Sequence, residues 1–285
     1  MATPTRRTPG GEAAAGTMDK SLSLDLGGDE IVMAGPSRAE EEAFVDETGK
    51  FALQKDGPYA VVRVHLEPNE TFKAEAGAMM AMDDEVEMMT GCDGGCCQAT
   101  IRRWCSGEGM CITTYRAPAF GKSGDVVVAP NTPGDILLLT MTGGPTGWMA
   151  QKGAFLCADP EVSVGTQFVG CMNGCMGKEG FFLCCLRGPP NSRAIINSYG
   201  SMIKYTLAPG EERIVDNGNA VCWEENMEVY ISTAAGLVAS CLSGEGIVSV
   251  FKGPGVVYVQ TRTIAPLAAL VSFNLKRVVQ GMRLG

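Results

Sequence analysis

The cysteines are the residues of this chain with the most reactive chemistry open to them. Twelve cysteines occur in 285 residues, and two pairs share a Cys-x3-Cys spacing among glycines, Cys92 with Cys96 and Cys171 with Cys175. Four thiolates from two such loops would suit a tetrahedral zinc ion. The usual two-residue spacing is missing, however, and the pairs begin 16 and 8 residues before the Glu-Gly step that follows each of them. We therefore interpret them as loop thiols and expect no metal and no cofactor.

Nucleophilic catalysis would need an activated cysteine with a base beside it. Cys184 and Cys185 are adjacent in an apolar run that predicts a strand, so one side chain should enter the core while the other faces a second layer. The single histidine, His65, lies in another strand pattern beside Val64, which favours a structural role. No catalytic residue is assigned, and we expect a protein that is not an enzyme.

Charged residues offer three further hypotheses. A glutamate precedes a glycine at three comparable places, where the carboxylates could either meet on a metal or cap turns by accepting backbone N–H bonds: Glu108, Glu179 and Glu245. The acidic run 83–85 lacks the spacing of a calcium loop and predicts a solvated hairpin turn. Arg102-Arg103-Trp104 is a basic and aromatic cluster of the kind that contacts RNA. A net charge of −9 argues against DNA binding and disfavours RNA.

Composition excludes several classes of protein. With 45% hydrophobic and 19% charged residues, the chain is too apolar to be disordered as a whole. No apolar run reaches the roughly 18 to 20 residues that span a bilayer, so we expect no transmembrane segment. The absence of a secretory signal pattern predicts an intracellular protein with reduced thiols. The cytoplasm is the expected compartment, and the mitochondrion is the alternative because Arg6, Arg7 and nearby threonines resemble part of a transit peptide.

The chain divides at about residue 50. Residues 1–50 are acidic, rich in Gly, Ala and Pro, and without apolar periodicity, which predicts a disordered tail. Short β-branched runs bounded by Gly, Pro, Asn or Asp follow, and they predict strands within a single β domain over 51–285. A C-terminal helix is predicted over 264–279, with Pro266 in its first turn. Its apolar positions at helical spacing are Leu267, Leu270, Val271 and Leu275.

Four landmarks recur three times in the same order, which indicates an internal repeat. They are a Pro-turn-acid step (Pro68, Pro133, Pro209), a glycine opening a strand (Gly77, Gly153, Gly218), the Glu-Gly step (Glu108, Glu179, Glu245) and a closing proline (Pro118, Pro189, Pro254). The interval from the Glu to the closing proline is 10, 10 and 9 residues, whereas that from the first proline to the glycine is 9, 20 and 9. These intervals predict repeats at about 51–122, 123–193 and 194–263, with an 11-residue insertion in the middle copy.

The repeats predict an all-β architecture. Each unit would be a set of short antiparallel strands with open edges and one apolar face, which is unstable alone. Three units pairing edge to edge would bury a shared centre as a pseudo-threefold prism. Strand edges left at the outside favour a homo-oligomer, for which a trimer is the expected size.

Several of these segments resemble the altered-inheritance-of-mitochondria (type twenty-four) family over about residues 51–273. The segments are Ala76-Gly77-Ala78-Met79, Gly153-Ala154-Phe155-Leu156, Gly244-Glu245-Gly246 and the run from Gly253-Pro254-Gly255 to Gln260-Thr261-Arg262. The resemblance implies repeats like those of the tryptophan RNA-binding attenuation protein, in a β-sandwich of double-stranded β-helix type. It also implies a link to mitochondrial membrane organisation, and it carries over no catalytic residues.

Two functions follow as expectations. The first is a non-enzymatic scaffold or assembly protein, because the chain combines β repeats with no catalytic set. The alternative is a β module that binds a small ligand, a metal or RNA.

Overall fold

The computed structural model describes residues 44–46, 48–55, 57–91, 111–170, 181–233 and 247–272. Strand pairing begins at Phe44, inside the segment predicted as a tail, while residues 1–43 lie outside the described ranges. Twenty strands occur in the described ranges, and every ladder between them is antiparallel, because short β-branched runs alternate with Gly, Pro and Asn turns. The prediction of a mostly β protein is confirmed.

The strands fall into a short entry pair and three runs of six. The entry pair is β1 (Phe44–Val45) and β2 (Phe51–Gln54). The first run is β3 (Val61–Leu66), β4 (Thr71–Glu75), β5 (Met79–Met82), β6 (Glu87–Gly91), β7 (Ile112–Arg116) and β8 (Gly124–Val128). The second run is β9 (Ile136–Thr140), β10 (Trp148–Gln151), β11 (Phe155–Ala158), β12 (Ser163–Gly170), β13 (Phe181–Arg187) and β14 (Arg193–Asn197). The third run is β15 (Met202–Leu207), β16 (Glu212–Asp216), β17 (Ala220–Glu224), β18 (Glu228–Thr233), β19 (Ile247–Lys252) and β20 (Gly255–Gln260).

The same four pairings occur within each run. The sixth strand pairs with the first and the third, as β8 does with β3 and β5. The fifth strand pairs with the second and the fourth, as β7 does with β4 and β6. β14 and β13 repeat this pattern in the second run, and β20 and β19 repeat it in the third. Each run therefore contributes two three-stranded halves to different sheets.

Neighbouring runs are joined by one kind of contact, which we call a seam: the second strand of one run pairs with the third strand of the next. Two seams are present, β4 with β11 and β10 with β17. They produce two six-stranded sheets, in the orders β6-β7-β4-β11-β14-β9 and β12-β13-β10-β17-β20-β15. The remaining halves form a five-stranded sheet, β1-β2-β3-β8-β5, and a three-stranded sheet, β16-β19-β18. Among the described strands, two positions form no seam: β16, the second strand of the third run, and β5, the third strand of the first run.

These pairings correct the alignment of the middle repeat. Pro133 precedes β9, the first strand of its run, whereas Pro68 and Pro209 follow the first strand of theirs. The segment equivalent to the Pro68 turn is the Gly143–Gly147 connection between β9 and β10, so the predicted 11-residue insertion is wrong. By pairing, the runs cover 61–128, 136–197 and 202–260, which places β8 with the first run although the predicted boundary is at 122.

Turn chemistry explains why the Pro-turn-acid step recurs. Asn69 and Gly210 hold positive φ angles of 67° and 82°, a conformation that Asn and Gly tolerate best. Beside them, Glu70 accepts a bond from the backbone N–H of Glu67 at 3.0 Å. Glu211 accepts the equivalent bond from Ala208 at 2.9 Å. The acids therefore close the turns through backbone N–H groups, the role that the sequence hypothesis gave to the Glu-Gly glutamates.

Burial follows the strand alternation. In β8 the residues alternate between buried and half-buried, whereas all four residues of the seam strand β11 are buried. Phe72 of β4 stacks on Tyr115 of β7 with ring centroids 4.9 Å apart. Three clusters of buried residues form the core, and the largest spans the first run and parts of the second.

A buried group of charges fastens the entry segment to the second run. Lys50, Asp46, Asp159 and Arg193 are each at most 13% exposed in their side chains. The Arg193 guanidinium donates two hydrogen bonds of 2.8 and 3.1 Å to the Asp159 carboxylate, and it also forms an ion pair with Asp46. Lys50 lies 3.0 Å from Asp159, and the Arg193 guanidinium covers the Phe51 ring at 4.8 Å. The segment before β2 is thereby held by side chains as well as by its ladder.

Gly134 marks a close approach between the runs. It makes parallel bridges to Tyr59 and to Gly200, the residues that stand two positions before the first strands of the other runs. A Cβ atom on Gly134 would lie 1.8 Å from the carbonyl oxygen of Ser198. Only glycine fits, because the obstacle is backbone rather than a movable side chain.

Replacing Gly134 by alanine is expected to lower the free energy of unfolding by about 1–3 kcal/mol, since backbone must shift to admit the methyl group. Urea denaturation measures the loss. The matched control is Gly165→Ala in β12, where the nearest atom to a new Cβ is 3.8 Å away. Equal stability of the two variants would contradict the close approach.

A helix begins at residue 264 and is described as far as 272, which confirms a short C-terminal helix. Its apolar side chains Ile264, Leu267, Leu270 and Val271 are exposed. Within the described ranges, the model contains no helix with the length and hydrophobicity to cross a membrane.

Candidate functional site

The two strands without a seam form the first candidate site, which we call the open seam: β5 and β16. Ile214 of β16 is 66% exposed and Met80 of β5 is 61% exposed. β11 and β17 are the equivalents of β5 at the two formed seams. Each of them buries four consecutive residues, such as Phe155–Ala158 of β11. Met80 is therefore exposed where the other runs bury Leu156 and Val221, and Ile214 is exposed where the second run buries Met149.

The chemistry of the open seam is that of an unsatisfied sheet edge. An edge strand presents unpaired N–H and C=O groups, which template the addition of another strand. β5 adds Met79, Met80 and Met82, whose flexible thioether side chains fit varied partners. β16 adds Ile214, which directly follows the charged residues Glu212 and Arg213. Together these edges can accept strands.

A polar cavity of about 330 Å³ is the second candidate site. All three runs line it, through the ends of β4, β10 and β14, the segment 217–221 and Gln260. Its volume is at the lower end of the range of pockets that hold small molecules. The lining is rich in amide side chains, which can donate and accept hydrogen bonds at once.

Hydrogen bonds fix two of these amides in place. The Gln151 amide donates to the carbonyl oxygen of Asn217 at 3.2 Å. The Gln260 amide donates to the carbonyl of Gly218 at 2.8 Å, and its own oxygen accepts from the N–H of Tyr199 at 2.8 Å. The Gln151 bond joins the second run to the third, and together these bonds preorganise the wall of the cavity.

Asn197 is the amide that the fold leaves unsatisfied. It lines the cavity at the end of β14 and is 5% exposed. Its backbone N–H bonds to Ala154 at 2.7 Å, but within the described ranges its side chain has no hydrogen-bond partner. Leaving a buried amide unpaired costs about 1–3 kcal/mol, so this group is available for a bond from within the cavity.

Glu75 supplies the cavity's carboxyl group. Burial raises the pKa of Glu75 to about 7, and no cation among the described residues opposes that effect. Burial raises the pKa of the Cys184 thiol to about 12, and the nearby Glu75 carboxylate contributes to this rise. Lys152 is the other charged residue on the cavity wall, and it has an interaction of its own. Glu75 therefore changes charge near neutral pH inside an amide-lined cavity.

The other groups that sequence analysis singled out are separate from the cavity. Cys184 is buried and Cys185 is half-buried, and they pack against different core clusters, which confirms the prediction of opposite faces. His65 Nδ1 lies 2.7 Å from Asp125 Oδ1, and Asp125 also binds Arg63. The pKa of Asp125 is lowered: burial works to raise it, but its bonds with Arg63 and His65 prevail.

Two interpretations from the sequence are corrected. Cys111 is disulfide-bonded, so the reduced-thiol interpretation is wrong for this residue. The acidic run 83–85 joins β5 to β6, which pair with different strands, so it is a turn between two sheets rather than a hairpin. Asp83 receives a bond from the N–H of Asp125 at 2.8 Å.

Several predicted groups lie outside the described residues. They are both Cys-x3-Cys pairs, the three Glu-Gly glutamates and the Arg102-Arg103-Trp104 cluster. Within the described part of the chain, no three His, Cys, Asp or Glu side chains form a group that could hold a metal ion.

Sequence reasoning missed the cavity, although the chain carried a signal for it. A polar residue stands two positions before each landmark glycine: Glu75, Gln151 and Asp216. These residues end the second strand of each run, and two of them line the cavity. The repeat therefore marked the site through the residues beside its landmarks.

Comparisons with known proteins agree on the family. A family model described as "Mitochondrial biogenesis AIM24" matches residues 51–262. An uncharacterized protein of Streptococcus pyogenes serotype M6 (strain ATCC BAA-946 / MGAS10394) is 29% identical over 242 residues, which cover 80% of this chain and 92% of that protein. An X-ray crystal structure of a Streptococcus pyogenes protein matches with a TM-score of 0.64 and 27% identity, and the match covers 79% of this chain and 98% of that one.

The family match spans the entry strand β2, all three runs of six strands and the residues around the cavity. The resemblance expected from the Gly-Ala and Gly-Pro-Gly segments is therefore confirmed. This chain belongs to the mitochondrial biogenesis AIM24 family.

Proposed function

We propose that this protein is a non-enzymatic assembly module, which forms homo-oligomers when β16 of one copy pairs with β5 of the next. The open seam is the observation that carries this proposal. Among the described strands, each chain offers one second strand, β16, and one third strand, β5, that form no seam. Within the chain, strands of these two types pair with each other twice. A second copy therefore presents the complement of each open edge.

The internal seams indicate what the contact between copies would bury. In the β10–β17 seam, Met149 lies opposite Trp223 and both side chains are buried. Ile214 and Met80 are the apolar residues that a seam of the same kind would remove from water. Each fully buried side chain of this size contributes about 1.5–3 kcal/mol, and the backbone hydrogen bonds of a new ladder would add to this against the cost of association.

The geometry of this contact is head-to-tail, since different strands of the two copies meet. Such an interface closes into a ring or continues as a filament. A trimer is the ring that we favour. Inside each chain, the recurring pairings support an arrangement of the three runs as a pseudo-threefold prism, and the proposed contact between copies requires its third seam, between β16 and β5, to stay open within one chain.

The chemistry of the described thiols supports a non-enzymatic role. Burial raises the pKa of Cys157, Cys184 and Cys222 above the ordinary value, so these groups stay protonated at neutral pH and are poor nucleophiles. The family description concerns mitochondrial biogenesis, which supports the mitochondrion as the alternative to the expected cytoplasmic compartment.

Substitutions in the open seam should break the oligomer without unfolding the chain. Met80→Lys blocks β5 and Ile214→Lys blocks β16, because a lysine directed at a sheet edge opposes strand addition. We expect each variant alone to be a monomer by native mass spectrometry, whereas the unchanged protein forms a larger species. Met88→Lys on β6 is the matched control, since Met88 is also exposed but lies outside the open seam.

Mixing the two variants makes the test specific. The Met80→Lys copy keeps an intact β16 and the Ile214→Lys copy keeps an intact β5. The mixture should therefore form a one-to-one dimer that does not grow. If the unchanged protein is a monomer and both variants only lose stability, the open seam closes within one chain and the proposal is wrong.

A further inference from the structure

We propose that the polar cavity between the three runs binds a small organic ammonium compound, with its cation on Glu75 and a hydrogen bond to the side chain of Asn197. This site is independent of the open seam, which involves β5 and β16. It adds a ligand to the proposed assembly function and does not depend on it.

Two unsatisfied groups on one cavity wall indicate the ligand's chemistry. Asn197 is buried and its side chain lacks a partner within the described ranges. Glu75 lines the same cavity, and no hydrogen bond or ion pair to its carboxyl group is found within those ranges. A ligand that pairs with both must carry donors for a carboxylate and for an amide oxygen. An ammonium group carries three such donors and a compensating charge.

The charge of the wall favours a cation over an anion. Glu75 and Lys152 are the charged residues of the lining, and Lys152 has its own interaction. A bound cation would offset the burial that raises the pKa of Glu75. An anion would meet the Glu75 carboxylate, and the Lys152 cation on the wall is already engaged in an interaction.

The fixed amides set the size and polarity of the ligand. Gln151 and Gln260 are held by bonds to Asn217 and Gly218, so their positions do not adapt freely. A volume of about 330 Å³ suits a small molecule rather than a peptide or a nucleic acid. Amide walls also provide partners for hydroxyl or carbonyl groups on such a ligand.

A pair of matched probes tests the proposal: ethanolamine and ethylene glycol, which differ in one ammonium group. Binding to the full chain is followed by saturation-transfer NMR and isothermal titration calorimetry at pH 8 and pH 5. We expect ethanolamine to bind at pH 8 and to bind about tenfold or more weakly at pH 5, where Glu75 is protonated. Cys184 stays neutral at both values, since its pKa is about 12. Ethylene glycol should show no such dependence.

Two variants localise the effect. Glu75→Gln should weaken ethanolamine binding at pH 8 to its pH 5 level, and Asn197→Ser should weaken it at pH 8 by removing the amide. Glu85→Gln, at an exposed carboxylate paired with Lys122, is the control and should bind like the unchanged protein. Circular dichroism confirms that each variant is folded.

Either of two results would overturn the proposal. One is an absence of ethanolamine binding to the unchanged protein at pH 8. The other is equal binding to the unchanged protein and to Glu75→Gln. Native mass spectrometry of the same samples reports the oligomer separately, so failure of the ligand site and failure of the assembly are distinguishable.

Discussion

Replacing Asp159 by alanine is expected to lower the free energy of unfolding by about 3–5 kcal/mol, because two buried cations lose their shared anion. Asp159 receives the backbone N–H and the guanidinium of Arg193 at 2.8–3.1 Å, and Lys50 lies 3.0 Å away. Its side chain is 6% exposed, so water cannot replace the lost contacts. Chemical denaturation of the purified variant measures the change.

The loss of stability arises because the substitution leaves two cations buried with fewer anionic partners. It does not require that the intact group of charges stabilises the fold strongly. Burial raises the pKa of Asp159, even though Lys50 and Arg193 oppose that shift. The folded state thus already tolerates a costly buried charge, and removing Asp159 leaves Arg193 with only Asp46 and Lys50 with only Glu70 as anionic partners. Asp159→Asn, which keeps the shape, should also destabilise the protein if charge is the cause.

An exposed ion pair provides the control for Asp159. Glu85→Ala removes the partner of Lys122 at the surface, where such pairs contribute about 0–1 kcal/mol. A loss in Asp159→Ala as small as that in Glu85→Ala would show that the entry segment is held by its ladder alone.

Replacing Glu75 by glutamine is expected to stabilise the protein by about 1–3 kcal/mol at pH 8 in amine-free buffer. This range is smaller than the pKa shift alone would give, because the Glu75 side chain is partly exposed to solvent. The pKa of Glu75 is about 7 in the folded protein and 4.5 ordinarily. Below pH 4.5 the group is protonated in both states, and the substitution should have little effect. As pH rises from 4.5 to 7, the unfolded state releases its proton first, so the unchanged protein loses stability.

The measurement is urea unfolding of both proteins from pH 4.5 to 8.5. The two stability curves should meet at the acidic end and separate steadily up to about pH 7, beyond which their difference is constant. Glu85→Gln, at an exposed carboxylate, is the control substitution. Parallel curves for Glu75→Gln would mean that the Glu75 carboxyl group is well solvated or paired.

The fold was predictable to the extent that local rules governed it. Strand runs, glycine and proline turns and the C-terminal helix could be identified because each depends on neighbouring residues. The alignment of the middle repeat failed, since Pro133 and Pro68 have similar local sequences but stand on opposite sides of the first strand. Only the pairing of strands distant in the chain separates these two cases.

The cavity was harder to predict for a related reason. Its residues come from the ends of strands in three runs, and an isolated Glu75 or Asn197 carries no motif. The unpaired state of the Asn197 side chain depends on which backbone and side-chain groups surround it in space. Likewise, the exposure of Met80 follows from the absence of a seam at β5, whereas its sequence pattern equally suits a core position.

The seams also determine the order in which this chain becomes complete during synthesis. Ala74 of β4 pairs with Cys157 of β11, and Met149 of β10 pairs with Trp223 of β17. The second strand of each run must therefore wait for the ribosome to deliver the next run, and contacts so distant in sequence form slowly. A nascent chain released or stalled after the second run would expose β10 as an unpaired edge strand that can pair with other chains, much as the finished protein exposes β16. Chaperone demand should thus be greatest while the final third of the polypeptide is being made.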